Sequence, residues 1–385
     1  MTPPSIWHII TCEYPPQSGG VSDYSYLVAR ELALAGDQVH VWGPGRSGTS
    51  EQGKGVAVHA SMGTFSPKDL KATGRELDGF TGPRHLLIQW VPHGYGYKSL
   101  NVGLCLWLVY RRAIGGDRLD WVVHEPFLPF KKGKWRQNAA AVLHRLMMVV
   151  ILRTAWRVWL STPAWEPMIR PFGLGRKQDY HWLPLPSNVP VAEDTGAGLR
   201  IHEQYAPNGL LIGHFGTFGA PITPLLAAAI PPLLRRVKQA SMLLIGPGSL
   251  AFLDALVHEH PDLGLRLHAI GQLDARDARL SAHLSACDLM LQPFPDGVTS
   301  RRTSVMAALS HGRPTATTSG PLTEAFWSQS GAVFLAPVGD PQGLVEGAAQ
   351  ILEDPRRRLS LGEAGREFYW REFDMPHIVE RLRAV

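Results

Sequence analysis

Along this chain, short, largely apolar runs alternate with stretches whose apolar residues recur at helical spacing. Residues 6–10 form such a run, as a strand buried on both faces requires. After a Pro/Gly loop, residues 21–35 place Tyr24, Leu27, Val28 and Leu32 on one helical face. Gly36 is positioned to stop that helix, and 39–42 is the next strand. Further strands are expected at 56–59, 86–91, 120–124 and 157–161, with helices between them. Alternation of this kind implies a parallel sheet covered on both faces.

The rhythm breaks at LPLPSNVPVAED, residues 183–194, where three prolines interrupt any helix or central strand. It then restarts, with strands expected at 210–215, 242–245, 265–270, 289–292, 315–318 and 333–335. Helices are expected over 341–385. The pattern divides into a first α/β domain over 1–185, a linker over 186–200, a second α/β domain over 201–365, and a C-terminal helix over 366–385 placed to pack back on the first domain. Two Rossmann-like halves of this type would face one another across a cleft lined by loops at the C-terminal ends of strands.

Composition adds limits rather than identity. A chain of 385 residues is comfortable for two domains. The formal net charge of +5 is compatible with acidic ligands, an anionic membrane surface or nucleic acid, and selects none of them. The cysteines, Cys12, Cys105 and Cys287, are odd in number and widely spaced. They suggest neither a disulfide framework nor a metal pattern, and point to a reducing, cytoplasmic setting. The N-terminus has no signal-peptide pattern, and no apolar run approaches the ~20 residues that span a bilayer. HExxH, GxSxG and Walker A sequences are all absent, and no paired-carboxylate motif asks for a metal.

Candidate chemistry gathers where strands end. In PFPDGVTSRRTSVMAALSHGRP, a strand is followed by a loop and then by a short helix built on Val305, Met306 and Leu309. Thr303 or Ser304 is suited to cap that helix and Gly312 to end it. A helix N-terminus already attracts anions, and Arg301 and Arg302 add bidentate donors that match phosphate oxygens. The competing reading is a solvated basic loop whose arginines pair with acids. Gly19 and Gly20 lie between the first strand and a helix for which Ser22 is the candidate cap. Glycine there admits close backbone approach, or makes a flexible turn. His124, in HEP, and His93 and Tyr95, in QWVPHGYG, end other strands; His124 is either a proton-exchanging group or a satisfied strand-end histidine. GHFGTFG and GPGS supply Gly216, Gly246 and Gly248 after strands of the second half.

The ordered series (a first loop with Gly-Gly, then HEP, GPG, PFPDG and SVMAALSHGRP with TTSG) resembles the retaining nucleotide-sugar glycosyltransferases of family 4. The resemblance implies the GT-B fold and transfer of a sugar from a nucleotide-diphosphate donor to a glycan, lipid-linked or small-molecule acceptor, with no cofactor, no metal and no nucleic-acid partner. It implies that Gly19 and Gly20 face the donor diphosphate and the acceptor, and that the helix N-terminus at Thr303 and Ser304 lies under the diphosphate, beside the phosphate-binding donors read from Arg301 and Arg302. It also implies that Gly216, Gly246 and Gly248 approach the nucleotide, that His124 lies near the transferred sugar, and that His93 and Tyr95 lie on the acceptor side. The family's pair of glutamates is missing: Asp296 is placed to stand in for the sugar-facing one, whereas Ala307 falls at the ribose-binding position. GHFGTFGAPIT also lacks the family's usual arginine and lysine, and Arg301 and Arg302 could supply that charge from another loop. A non-catalytic nucleotide-sugar-binding protein and a GT-B epimerase or hydrolase remain alternatives at this point.

One more segment bears on partners. FKKGKWRQ carries Lys131, Lys132, Lys134 and Arg136 around Trp135, a composition that suits the surface of an anionic membrane. The same residues could equally solvate the entry to a core helix, for which Leu143, Leu146, Met147, Val150 and Ile151 have the spacing.

Overall fold

The computed structural model describes residues 5–17, 19–44, 55–81, 84–96, 100–192 and 194–384. The chain forms two compact units. One runs to Pro184 and takes in the chain again from Met375; the other is Leu185–Asp374.

The first unit contains β1 (Ile6–Ile10), α1 (Gly20–Leu34), β2 (Gln38–Trp42), β3 (Val56–His59), α2 (Pro67–Leu77), β4 (His85–Trp90), α3 (Val102–Ala113), β5 (Arg118–Val123), α4 (Trp135–Thr154), β6 (Arg157–Leu160), α5 (Glu166–Ile169) and β7 (Tyr180–Trp182). Its sheet has the order β3-β2-β1-β4-β5-β6-β7, and every described pairing is parallel. The strands are largely apolar because helices cover both faces of the sheet. Strand β7 is not legible in the sequence: it is three residues long and lies at the sheet edge, paired to β6 through Val158↔Tyr180.

The second unit contains α6 (Thr195–Tyr205), β8 (Leu210–Phe215), α7 (Thr223–Arg236), β9 (Ala240–Ile245), α8 (Ser249–Glu259), β10 (Leu267–Gly271), α9 (Ala278–Ala286), β11 (Leu289–Gln292), α10 (Thr303–Ser310), β12 (Thr315–Ser319), α11 (Ala325–Ser330), β13 (Phe334–Pro337), α12 (Pro341–Glu353) and α13 (Pro355–Glu372). Its sheet order is β10-β9-β8-β11-β12-β13, again parallel. In each sheet the order reverses direction beside the first strand, between β1 and β4 and between β8 and β11. Connections leave in opposite directions there and open a crevice at the strand ends.

The proline-rich segment before α6 is extended chain laid on the second unit. Leu185 N–H donates to Ser300 O (3.0 Å), Ser187 N–H to Tyr369 Oη (3.2 Å), and Ala192 N–H to Ser281 Oγ (2.8 Å). The span taken as linker also reaches into α6, which Asp194 caps by accepting from Gly196 and Ala197 N–H. The last helix, α14 (Met375–Arg383), belongs to the first unit. It is tied there by Arg383 Nε on Asp37 Oδ2 (3.1 Å) and by Arg381 over the Trp182 ring (4.7 Å). Buried Asp37 also accepts from Trp7 Nε1–H (3.1 Å).

Three histidines line up across the first sheet. His8 is level with His40 in register, their rings stacked at 5.3 Å, and His40 Nδ1 lies 2.9 Å from His59 Nε2. Burial lowers the pKa of His8 to about 3, helped by the charges of His40 and His59. Burial also lowers His40 and His59, against the attraction of Glu76 for the latter. Because these folded values lie below the unfolded ~6.5, the native state binds fewer protons than the unfolded chain. The stability they contribute is therefore complete above pH 6.5 and is lost as pH falls through the window toward the folded values. Urea unfolding at pH 7 and pH 5 should show a loss on the order of 1–3 kcal/mol, and His40→Asn should flatten that slope.

Candidate active site

In the second unit, two loop pairs build the crevice at the β8/β11 switch. The loops after β8 and β9 interlock. Gly216 N–H donates to Ile245 O (3.0 Å) and Phe218 N–H to Pro247 O (3.1 Å). A Cβ on Gly246 would sit 2.0 Å from Gly216 O, and its φ is +130°. Gly248 has φ +87° and opens α8 directly against Phe218. Only glycine meets these requirements. A Cβ on Gly216 would lie 4.0 Å from Ser304 Oγ, so this loop and the first turn of α10 stand side by side.

His214 lies beneath them, 98% buried. Its Nδ1–H donates to Leu291 O (2.8 Å), which leaves Nε2 as a lone-pair acceptor that makes no hydrogen bond within the protein. Burial lowers its pKa to about 4, so the ring is neutral at physiological pH. Gln292, fully buried at the end of β11, gives Nε2–H to Phe215 O (3.1 Å) and likewise keeps an unbonded acceptor, Oε1. Unpaired buried acceptors cost about 1–3 kcal/mol each and concentrate at sites built for something other than stability. His214 lies inside GHFGTFG, where the glycines alone drew attention, and Gln292 immediately precedes PFPDG.

The second pair joins PFPDG to TTSG. Phe294 N–H donates to Thr318 Oγ1 (2.8 Å), Val298 N–H to Thr318 O (2.8 Å), and Leu322 N–H to Asp296 O (3.1 Å). Buried Glu324 accepts from Ser300 N–H (3.0 Å), Ser300 Oγ–H (2.5 Å) and Trp327 Nε1–H (2.9 Å). On this fixed backbone Asp296 sits between the two arginines: Arg301 Nη2 is 2.9 Å from Oδ2, and Arg302 pairs with Oδ1. Arg302 also lies 4.3 Å over the Phe294 ring. The arginines thus pair with an acid, as the competing reading expects, but within a largely buried cluster rather than a solvated loop. Helix α10 begins at Thr303, so its N-cap is Arg302 rather than the expected Thr303 or Ser304, and no side chain caps it. Gly312 ends it at φ +64°. Ala307 is fully buried in the apolar core, so no ribose-binding carboxylate stands there.

In the first unit, the strand-end residues divide. His124 is buried; its Nε2–H donates to Gln89 Oε1 (2.8 Å), and Tyr24 meets its ring edge-on at 5.0 Å. Burial lowers its pKa to about 4, so it does not exchange protons near neutrality but serves as a neutral, oriented imidazole. Nearby, Gln89 Nε2 and Tyr24 Oη are buried without a hydrogen bond. Exposed His93 Nε2 lies 3.7 Å from Glu125 Oε2, which brings QWVPHGYG and HEP together. Tyr95 does not reach an acceptor face. It is fully buried, and its hydroxyl donates to Gln89 O (2.5 Å) and Ile10 O (3.2 Å).

The first loop also differs from expectation. Glu13 Oε1 accepts from Val21 N–H and Ser22 N–H, both at 3.0 Å, so the N-terminus of α1 is occupied by the chain's own carboxylate. A Cβ on Gly19 would lie 2.2 Å from that oxygen; Gly19 makes room for Glu13, and Gly20 has open space around it. Ser22 lies inside α1 and donates to Gln17 O (2.6 Å) instead of capping. A cap eight residues away has no local sequence signature, which is why Glu13 escapes a reading by motif. Among the described residues, no group of three His, Cys, Asp or Glu is placed to hold a metal ion.

Two parallel Rossmann-type sheets with loop-built strand ends define the GT-B class. Residues 210–354 match the family Glycosyl transferases group 1, so this part of the chain is a glycosyltransferase domain of that group. No curated protein matches it in sequence. In structure it is similar to sucrose-phosphate synthase from Thermosynechococcus elongatus (TM-score 0.71, 18% identity, 98% of this chain and 97% of that one). It is also similar to Anabaena HepE in complex with UDP and glucose (0.67, 16%, 99% and 98%). A third similar structure is WaaG, a glycosyltransferase involved in lipopolysaccharide biosynthesis (0.58, 13%, 98% and 98%).

Gly297 tests how far the site depends on loop contact. Its φ is +85°, and a Cβ would lie 2.1 Å from Thr323 Oγ1 and 2.3 Å from Gly320 N. Gly297→Ala should lower stability by about 2–4 kcal/mol in chemical denaturation, whereas Gly20→Ala should stay within about 1 kcal/mol of wild type.

Proposed function

We propose that the protein transfers a sugar from a nucleotide-diphosphate sugar to an acceptor with retention, and that Arg301, Arg302 and the first turn of α10 at Thr303 and Ser304 hold the donor diphosphate. The observation that carries this reading is the pair of largely buried guanidiniums fixed at a helix N-terminus. Charge develops on the departing diphosphate as the glycosidic bond breaks, and preorganised donors aimed at that charge lower the barrier. The same cations supply without a resident metal what a metal would otherwise supply. Gly216, Gly246 and Gly248 give the backbone its approach to the nucleotide. UDP is the first nucleotide to test, because similarly folded HepE is in complex with UDP and glucose.

His124 takes the sugar side as a neutral hydrogen-bonding imidazole, and the exposed His93–Glu125 pair takes the acceptor side. Asp296 serves the sugar in place of the family glutamate. Gly19 and Gly20 are left out of this reading, since the Glu13 carboxylate already accepts from Val21 and Ser22 N–H at the start of α1. Arg302→Ala should weaken nucleoside-diphosphate binding and lower transfer by about 100-fold. His124→Ala should lower turnover while leaving nucleotide affinity nearly unchanged. Titration calorimetry with UDP, beside an assay for UDP release from UDP-glucose with and without acceptor, separates the two effects. UDP affinity unchanged by Arg301→Ala, by Arg302→Ala and by the double variant would overturn the assignment, and binding without any turnover would instead make the protein a carrier of nucleotide sugars.

The acceptor is proposed to be a glycan or a lipid-linked glycan presented at an anionic membrane surface. Lys131, Lys132, Lys134 and Arg136 are all exposed, and Trp135 is 73% exposed at the start of α4. Leu146, expected in the core, is exposed, as are Val142 on the same helix and Leu106 and Tyr110 on α3. The loop holding the lysines is tied to α4: Lys131 N–H donates to Asn138 Oδ1 (2.8 Å), and Arg145 lies 4.1 Å from both the Phe127 and Phe130 rings. No described helix is long and apolar enough to cross a membrane. Co-sedimentation with anionic liposomes at low salt should recover the protein in the pellet. Recovery should fall with added salt as screening grows, and again when the three lysines are changed to glutamine. Equal recovery in the supernatant with and without anionic vesicles would refute surface binding.

A further inference from the structure

The Asp296 cluster contains a conflict that the diphosphate reading does not by itself resolve. Both guanidiniums that would bind phosphate are already engaged by one carboxylate, Arg301 at 2.9 Å and Arg302 on the other oxygen. A diphosphate arriving beside an unmoved Asp296 would meet a third anionic group in a largely buried place, where like charges are poorly screened. If the arginines instead stayed with Asp296, they would have little charge left to offer.

The surrounding geometry says which part can move. The loop backbone is clamped: Asp296 O accepts from Leu322 N–H, Ser300 is held by Glu324, and Gly297 and Gly320 leave no space for a Cβ between the two loops. Arg302 is held further by Phe294 and as the N-cap of α10. Against this fixed frame, the Asp296 side chain is the shortest and the most exposed member of the cluster, 27% against 19% for each arginine. Rotation about its own Cα–Cβ bond releases the carboxylate without moving either arginine.

We propose that Asp296 is the built-in counter-ion of Arg301 and Arg302 and that the donor's diphosphate exchanges with it, turning the freed carboxylate toward hydroxyls of the sugar. This rests on the reading that the two arginines hold the diphosphate. The exchange keeps the buried cations paired in both states, so the site never holds bare charge. It also couples the two ends of the donor: the carboxylate becomes available to the sugar only when the diphosphate has taken its place. The resting pair lowers apparent affinity by the fraction of molecules in which the arginines are engaged.

The discriminating measurement is calorimetric titration of the full chain with inorganic pyrophosphate, without divalent metal, because that probe carries the diphosphate and nothing else. Asp296→Asn and Asp296→Ser, each checked for cooperative unfolding, should bind pyrophosphate at least ~tenfold more tightly than wild type. The opposite sign would be expected if Asp296 merely ordered the arginines. If both variants bind no tighter than wild type while Arg302→Ala loses binding, exchange is refuted and the arginine site stands. If Arg301→Ala, Arg302→Ala and the double variant all bind as wild type does, the diphosphate reading falls and the exchange falls with it.

Discussion

At Gly297 and Gly320, two loops of the second unit come so close that neither residue could carry a side chain. That contact depends on hydrogen bonds from Phe294 and Val298 to Thr318 and from Ser300 to Glu324. It sets the exit of the chain from β11, and with it the start of α10, the placement of Arg301 and Arg302, and the distance of Asp296 from both. A buried carboxylate that accepts three hydrogen bonds makes a stiff anchor, since breaking any of them would strand charge away from water. The electrostatics of the site are therefore a consequence of backbone packing some residues away.

The two units solve the same problem by different local means. Each opens a crevice where its parallel sheet changes direction, and each leaves buried polar atoms without partners there: His214 Nε2 and Gln292 Oε1 in one, Gln89 Nε2 and Tyr24 Oη in the other. In the second unit the helix N-terminus beside the crevice begins without a side-chain cap. In the first unit, Glu13 fills the equivalent N–H groups from the preceding loop. Local electrostatics thus separate an end suited to an anion from an end that is already neutralised. Burial does related work on the histidines: His124 and His214 are held neutral, so they offer oriented hydrogen bonds rather than charge.

Much of this could be read from the order of residues. Period and run length revealed twelve strands near their observed places, because strands buried on both faces are mostly apolar. The glycines at 216, 246, 248 and 312 stood out because their turns require conformations that other residues avoid. The family resemblance followed from the series of motifs, most of which lie in loops at the ends of strands, with SVMAALSHGRP forming helix α10 after one of them. Strand β7 was invisible for the opposite reason: three residues at an edge carry no period.

What only the tertiary structure decided was pairing. Nothing in the sequence says that Asp296 reaches both arginines, that Glu13 folds back onto α1, or that Tyr95 turns into the core rather than toward an acceptor. Nor does it show that His124 sits deep enough to lose its charge. Secondary structure is set by neighbours along the chain, through sterics and periodic burial. A charge pair, a distant cap or a shifted pKa is set by groups that meet only after the sheets have formed, and their energies depend on how much water the finished packing excludes.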